Sequence, residues 1–241
     1  MPVIRSSAIN LAASLAVAER KTLLIDIDPQ ANAGSGLGCD KADVRDSVYH
    51  ALLGEKSFKD IIRKTELKYL ELAPSNIDLT GAEIELVSAI SRETRLREAI
   101  SSILDDYDYI IIDCPPSLGL LTVNSLTAAN SVIVPMQCEY FAMEGLSHLS
   151  NTINIIKRAL NPSLKIEGIL LTMFDQRNRL SHQVAEDIKA HFKDQVFESV
   201  IARNVKLSEC TSFGKPILLY DIKSRGAVGY LDLAQELIAR H

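Results

Sequence analysis

Tryptophan and closely spaced cysteines are missing from this sequence of 241 residues. It has no tryptophan, only 5% aromatic residues and four cysteines. The cysteines are Cys39, Cys114, Cys138 and Cys210, and they stand at least 24 residues apart. This spacing excludes the C-x-x-C motifs of zinc and redox sites. We therefore expect reduced thiols in a cytosolic protein whose core consists of aliphatic side chains.

Long apolar segments, low-complexity runs and a strong charge of one sign are lacking as well. No apolar run approaches the 18 residues of a membrane span, and no leader-like segment opens the sequence. Glycine and proline number only 11 and 8, which argues against disorder. The formal charge of −5 gives no overall signal of nucleic-acid binding. We expect a soluble, cytoplasmic, globular protein with no membrane role.

Apolar strands that alternate with helices form the main pattern of the chain. Strands are predicted over Thr22–Ile27, Tyr69–Ala73, Tyr109–Asp113, Ser131–Pro135, Lys165–Met173 and Val196–Ile201. Helices are predicted over Ala8–Arg20, Val48–Leu53, Phe58–Arg63, Ser91–Asp106, Leu120–Ala129, Gly145–Leu160, Ser181–Phe192 and Ala227–Arg240, with a functional loop over Asp28–Asp40. Strands that are apolar throughout indicate a mostly parallel sheet with helices on both faces. The sequence predicts a single α/β domain over residues 1–241.

Two of the predicted strands end in aspartate. The first reads LLIDIDPQ and contains Asp26 and Asp28, and the second reads YIIIDCPP and contains Asp113. In parallel α/β sheets, ligands bind at the carboxyl ends of the strands. An acid at the tip of a buried strand is the Walker B arrangement, which holds Mg²⁺ beside a triphosphate. The alternative, an aspartate that only turns the chain into a loop, is weakened because both strands show the pattern.

Several longer motifs resemble the ParA/Soj family of chromosome- and plasmid-partition ATPases, relatives of MinD. They are DIDPQANAGSGLG, LTGAEIELV, YDYIIIDCPPSLGLLTVNSL, VPMQCEYFAMEGLSHL, GILLTMFDQR and ARNVKLSECTSFGKPILLYD. The resemblance implies a three-layer fold of the P-loop NTPase type and is closest to the chromosomal Soj branch. It further implies an ATPase that uses ATP and Mg²⁺, forms an ATP-dependent homodimer, binds DNA non-specifically on the nucleoid and is stimulated by a ParB partner.

The resemblance also assigns roles to single residues. Asp28 would position or activate the attacking water, and Asp113 would be the Walker B acid that holds Mg²⁺ through water. Asp26 would help to order the magnesium shell or would simply end its strand. The remaining assignments are Asn204 and Arg203 for the nucleotide, and Arg177, Lys206 and Arg203 for DNA. The alternative to DNA binding is that these basic residues belong to an ordinary solvent-exposed surface of mixed charge.

One part of the family pattern is absent from the sequence. Members open with a strand and a KGGVGKTT-type loop, whereas here only MPVIRSS precedes the AINLAASLA helix. The first strand, the P-loop and its lysines are missing, and Lys21 lies beyond the helix. Ser6 and Ser7 could offer a hydroxyl to Mg²⁺ or the nucleotide, or cap the helix. We expect weak ATP binding and, because the missing strand is an interior one, marginal stability or aggregation.

Two hypotheses of different classes follow. One is a ParA/Soj-type ATPase whose sequence here lacks its true N-terminus. The other is a catalytically inactive relative that acts as a binding or dimer-modulating protein. A MinD-like membrane tail is not supported, because the last residues carry Asp232 and Glu236 against Arg240. Cys114 and Cys138 lack the pattern of an iron–sulfur ligand pair, and the scattered histidines do not indicate zinc.

Overall fold

A computed structural model describes residues 2–139 and 142–241. Its strands are β1 Thr22–Asp26, β2 Arg63–Lys64, β3 Leu70–Ala73, β4 Tyr109–Asp113, β5 Ser131–Gln137, β6 Lys165–Phe174 and β7 Val196–Ala202. Its helices are α1 Pro2–Val17, α2 Asn32–Gly36, α3 Val48–Leu53, α4 Phe58–Ile61, α5 Leu79–Glu85, α6 Arg95–Ile100, α7 Leu120–Ala128, α8 Ala142–Ala159, α9 Arg179–Phe192, α10 Val205–Ser212, α11 Ile217–Tyr220 and α12 Arg225–Arg240. The α/β class predicted from the sequence is confirmed. No helix in these two ranges is both long and apolar enough to cross a membrane.

The strands form two hydrogen-bonded sheets. The first sheet has the order β2-β3-β1-β4 and the second has the order β5-β6-β7. All pairs are parallel except β2 with β3. In the first sheet β1 lies between β3 and β4, and its register places Asp26 opposite Asp113. Two of the predicted acidic strand ends are therefore neighbours.

A shared helical layer covers one face of both sheets. It consists of α1 and α12, with α10 and α11 beside them, and its core takes residues from both sheets. Representative members are Leu24 and Leu72 of the first sheet and Leu170, Phe197 and Ile201 of the second. The opposite face of the first sheet is covered by α3, α5, α6 and α7, and that of the second sheet by α8 and α9. This arrangement is the three-layer architecture expected from the apolar strands.

Helix α1 fits tightly into this layer because its buried face is rich in alanine. Ala12, Ala13 and Leu15 are fully buried there. The helix was predicted over Ala8–Arg20, but it begins at Pro2 and ends at Val17. It stops because Glu19 adopts a left-handed φ of 59° and Arg20 donates its N–H back to the Leu15 carbonyl at 3.0 Å. This is the geometry that closes many helix C-termini.

The facing edges of the two sheets are not paired with each other. Within the described residues, β4 is hydrogen-bonded only to β1, and β5 only to β6. Residues Tyr109–Ile112 of β4 are accordingly half-buried, whereas every residue of β1 is buried. Residues Pro2–Ile4 belong to α1, so they do not supply a strand at this place. The sheet is thus interrupted between β4 and β5.

Candidate functional site

Asp26 is fully buried at the carboxyl end of β1, where it organises the loop that follows. Its Oδ2 accepts the Gly34 N–H at 2.9 Å, and its Oδ1 accepts the Asp28 N–H at 3.1 Å. Burial raises the pKa of this carboxyl group to about 6, although the backbone hydrogen bonds oppose the shift. Because both oxygens are bound to backbone amides, Asp26 acts on the loop geometry and is not positioned as a direct ligand.

Asp28, the predicted catalytic residue, is only 3% exposed. Its Oδ1 accepts the Gln30 N–H at 2.9 Å, and its backbone oxygen accepts the Ala31 N–H at 2.8 Å. Ala31 has a left-handed φ of 49°, a conformation that costs a non-glycine residue about 1 kcal/mol or more. The loop after β1 is therefore held in one tight turn around the carboxylate.

Asp113 ends β4 beside this turn and is 4% exposed. Its backbone oxygen accepts the Ile27 N–H at 3.0 Å, which ties the two strand ends together. Burial raises the pKa of the neighbouring Cys114 thiol to about 12, and the charges of Asp113 and Asp28 add to that shift. The structure thus brings together the predicted catalytic residue and the predicted magnesium residue.

These carboxylates fit a magnesium ion only with help from other oxygens. Mg²⁺ usually takes one or two carboxylates and completes its shell with waters and substrate phosphates. Asp28 and Asp113 can supply the carboxylates. In the described part of the chain, no group of three or more acidic, histidine or cysteine side chains could hold a metal by itself. The donor set matches a cation that arrives together with a phosphate ligand.

The predicted nucleotide and DNA residues follow the second sheet. Arg203 and Asn204 come directly after β7, and the Arg203 N–H donates to the carbonyl of Phe174 at the end of β6, at 3.0 Å. The Asn204 Oδ1 caps α10 by accepting the Lys206 N–H at 2.9 Å. This cap explains the local turn without reference to a ligand.

Three exposed cations lie along this edge. Arg177 and Arg203 follow the neighbouring strands β6 and β7, and Lys206 lies in the first turn of α10. The Lys206 Nζ lies 3.1 Å from Glu209 Oε2 and 5.5 Å from the centre of the Tyr220 ring. The hydrogen bond to Glu209 raises the pKa of Lys206, so this lysine stays charged.

The segments that follow α2 and α10 touch each other. A Cβ built on Gly214, which has a φ of 63°, would lie 3.1 Å from the Gly38 Cα. A Cβ on Gly36 would meet both Ile9 of α1 and Thr211 of α10. Gly38 and Gly214 therefore lie in direct backbone contact, and a side chain at Gly214 would have to displace the backbone at Gly38.

Ser7 does not cap α1, contrary to one of the expectations from the sequence. The helix begins at Pro2, so Ser7 lies inside it, and its Oγ is 2.9 Å from the Tyr230 hydroxyl of α12. Burial leaves the serine only 6% exposed, which ties it to helix packing. Its role toward a nucleotide stays a prediction. The side chain of Ser6 lies outside the described part of the structure.

Comparisons with known proteins identify the family of this chain. A family model described as an AAA domain matches residues 5–166. The chromosome partitioning protein ParA of Myxococcus xanthus (strain DK1622) is 59% identical over 235 residues, which are 98% of this chain and 83% of that protein. The sporulation initiation inhibitor protein Soj of Bacillus subtilis (strain 168) is 55% identical over 234 residues, 97% of this chain and 92% of that protein. The chain belongs to the ParA/Soj family of chromosome-partitioning ATPases.

The fold of this ParA/Soj chain also recurs in solved structures. Cobyrinic acid a,c-diamide synthase from Mycobacterium smegmatis, with bound ADP and magnesium, superposes with a TM-score of 0.87 at 34% identity, over 100% of this chain and 90% of that one. The cell division ATPase MinD from Pyrococcus furiosus has a TM-score of 0.81 at 24% identity, over 99% of this chain and 94% of that one, and it supports the fold alone. The predicted P-loop NTPase architecture is confirmed.

Sequence reasoning missed the residues that hold the acidic loop. Gly34 donates to Asp26 from eight residues along the chain, and Ala31 adopts the left-handed turn. The three glycines in DIDPQANAGSGLG were a usable signal of a tight loop, but they do not reveal which amide meets which oxygen. Asp26 was expected to order the magnesium shell through water or to end its strand, and its two backbone hydrogen bonds show in addition that it organises the loop.

Proposed function

We propose that this chain is a partition ATPase of the ParA/Soj type, acting as one domain that binds ATP·Mg²⁺ at the carboxyl ends of β1 and β4. The observation that carries the proposal is the pairing of Asp26 with Asp113 across adjacent strands, with Asp28 in the turn beside them. Solved relatives that carry ADP or an ATP analogue with magnesium support this choice of ligand.

The three aspartates divide the work. Bound Mg²⁺ would neutralise charge on the phosphate oxygens, which is the chemistry that it supplies to phosphoryl transfer. Asp113 would hold the cation through water. Asp28 would accept a proton from the attacking water and orient that water. Asp26 keeps Asp28 in place through the backbone hydrogen bond at 3.1 Å.

The second part of the proposal concerns DNA and protein partners. Arg177, Arg203 and Lys206 would bind phosphates of DNA without reading its sequence, because they are exposed cations on one edge. The proposed working form is an ATP-dependent homodimer on the nucleoid that a ParB-type protein stimulates. Support for these steps comes from family membership and from the placement of the cations.

A polypeptide made of these 241 residues alone lacks a phosphate cradle, the loop that would hold the phosphates of ATP. The sequence contains no glycine-rich loop with a lysine ahead of α1. Such a loop would offer successive backbone N–H groups and a cation to the phosphates. We therefore propose that this polypeptide binds ATP weakly and hydrolyses it negligibly.

Calorimetric titration with ATP·Mg²⁺ tests the nucleotide site. We expect weak binding to the unmodified chain, further weakened in Asp113→Asn and unchanged in the control Asp105→Asn, whose side chain is exposed in the turn before β4. A dissociation constant in the low micromolar range would contradict the proposed need for the missing cradle. Equal binding by Asp113→Asn and the unmodified chain would contradict the site itself.

A further inference from the structure

A cavity of about 270 Å³ lies on the first sheet's outer helical layer, formed by α3, α4, α6 and the turn at residues 54–57. Its floor is apolar and consists of Ala51, Leu52, Phe58 and Ala99. Leu52 and Phe58 are 1% and 2% exposed, so the floor belongs to the packed core and is pre-formed. A cavity of this size takes a ligand of fragment size.

One cation lining this cavity has an unmet hydrogen-bonding requirement. The Nε of Arg95 is buried and has no hydrogen-bond partner in the described residues, and the guanidinium forms no ion pair there. A buried donor without a partner costs about 1–3 kcal/mol. Arg95 is also the first residue of α6, where the helix dipole disfavours a positive charge. Local structure therefore gives two reasons against an arginine at this position.

The other polar groups at the rim define the ligand's charge. Lys56 lines the cavity and its Nζ lies 3.5 Å from Asp46 Oδ2, a distance that leaves hydrogens free for a further acceptor. Ser57 lines it as well. The only acid in the lining is Glu98, and its Oε1 already accepts the Thr94 hydroxyl at 2.7 Å. Because Lys56 and Arg95 are cations and the Glu98 carboxylate is already hydrogen-bonded, the lining favours a ligand with one negatively charged group.

We propose that this cavity binds a small organic anion, with its carboxylate or phosphate on Arg95 and Lys56 and its apolar body against Ala99. The site is separate from the acidic strand ends, because the residues that line it belong to the outer helices and the turn before α4. The proposal does not depend on nucleotide or DNA binding. A planar guanidinium suits either head group, since it binds carboxylate and phosphate in a bidentate manner.

Fluorine NMR with three matched ligands tests the proposal on the full chain. The ligands are 4-fluorobenzoate, 4-fluorophenyl phosphate and the neutral 4-fluorobenzyl alcohol. We expect saturable line broadening with at least one anion and an affinity at least about tenfold weaker for the alcohol, since the charge-assisted hydrogen bonds are lost. The stronger of the two anions identifies the head group. Absence of saturable binding by both anions, or equal binding of the alcohol, would overturn the proposal.

Substitutions in α6 test whether the anion binds in this cavity. Arg95→Gln should weaken the anion about tenfold, whereas Arg97→Gln, exposed on the same helix, should leave the affinity unchanged. Ala99→Leu should block the cavity by filling its floor, and it covers the case in which Arg95→Gln does not fold. Equal binding by Ala99→Leu or Arg95→Gln, in a variant that retains the wild-type circular dichroism spectrum, would place the anion elsewhere and refute the assignment.

Discussion

The carboxyl ends of the two sheets carry opposite charges in opposite environments. At the first sheet Asp26, Asp28 and Asp113 are at most 4% exposed, and backbone amides hold the carboxylates of Asp26 and Asp28 in fixed positions. At the second sheet the basic residues are exposed on loops and a helix start. Buried acids can hold a cation at one defined point, whereas exposed cations attract a phosphate backbone over a wide area. The same fold therefore keeps a site suited to one bound cation and a surface suited to a phosphate backbone at the ends of different strands.

The two sheets are joined by side chains alone. The shared layer of α1 and α12 packs on both, but no ladder of hydrogen bonds connects β4 to β5 within the described residues. The interrupted edge also explains why β4 is half-buried while β1 is fully buried. A strand that connects β4 to β5 by hydrogen bonds should therefore have the largest effect on the stability of the protein.

The largest expected effect is the gain in stability from a strand inserted between β4 and β5. Fusing a five-residue apolar strand and a glycine-rich loop ahead of Met1 would allow pairing on both sides. About five net hydrogen bonds at roughly 1 kcal/mol each would add about 5 kcal/mol to the free energy of unfolding. For a chain of this length that corresponds to a rise in Tm of about 10–20 °C. Differential scanning calorimetry measures it.

A fusion of equal length whose strand contains two prolines is the control, because proline donates no N–H to a ladder. It should leave the Tm near that of the unmodified chain. Cooperative unfolding of the unmodified chain at high temperature would show that the open edges cost little, and the argument for marginal stability would be wrong.

The next effect distinguishes the buried acids from the exposed ones. The Asp26 pKa is raised from 3.8 to about 6 in the folded state, so ionisation is harder there than in the unfolded chain. This contribution to stability is fully present below about pH 3.8 and is lost as the pH rises through 6, a loss of about 3 kcal/mol. Asp26→Asn removes that pH dependence.

Urea unfolding from pH 4 to pH 7, with EDTA and without nucleotide, measures the difference. Relative to Asp26→Asn, the free energy of unfolding of the unmodified chain should fall by about 2 kcal/mol across this range, because part of the effect lies below pH 4. Asp105→Asn, which is exposed and lies at the opposite end of the strands from Asp26, should run parallel to the unmodified chain. Parallel curves for Asp26→Asn as well would mean that the carboxyl group is solvated in the folded protein.

The smallest effect concerns the basic edge. Arg177→Ala combined with Lys206→Ala should weaken DNA binding about tenfold on every sequence and reduce the salt slope by about 2, since each residue would neutralise one phosphate. Fluorescence anisotropy with several unrelated duplexes, in the presence of ATP·Mg²⁺, measures both. The matched control is Arg158→Ala combined with Lys189→Ala, on the helices α8 and α9. This double variant should leave DNA binding unchanged. Loss on only some duplexes would indicate base readout and would end the phosphate interpretation.

The sequence predicted the elements whose patterns are local. β4 was predicted over Tyr109–Asp113 and α3 over Val48–Leu53, and both agree with the structure, because an apolar run and a capped short helix define their own limits. The helix predicted over Ser91–Asp106 is instead α6, Arg95–Ile100, followed by a 3-10 turn through residues 101–106. The spacing of a few buried apolar residues does not separate an α-helix from a 3-10 helix.

The short elements α2, α5, α10 and α11 and the strand β2 were missed. Helix α2 has five residues, two of which are glycines, so intrinsic propensity opposes it. It forms because Asp26 accepts the Gly34 N–H and α10 packs against it from far along the chain. The acids of the site were predictable because each follows a local apolar run that indicates the end of a buried strand. Their hydrogen bonds were not, because they depend on the three-dimensional path of the loop.

The packing of α1 against α12 has a consequence for the synthesis of the protein. The Ser7 hydroxyl meets Tyr230 across 223 residues, and Asn10 receives the Ile217 N–H across 207. At typical translation rates of about 5–20 residues per second, α1 waits about 11–45 s after leaving the ribosome before its partner exists. During that interval its alanine- and leucine-rich face has no final partner. Chaperones that bind nascent chains should therefore contact α1 early and release it only when the last helix has emerged.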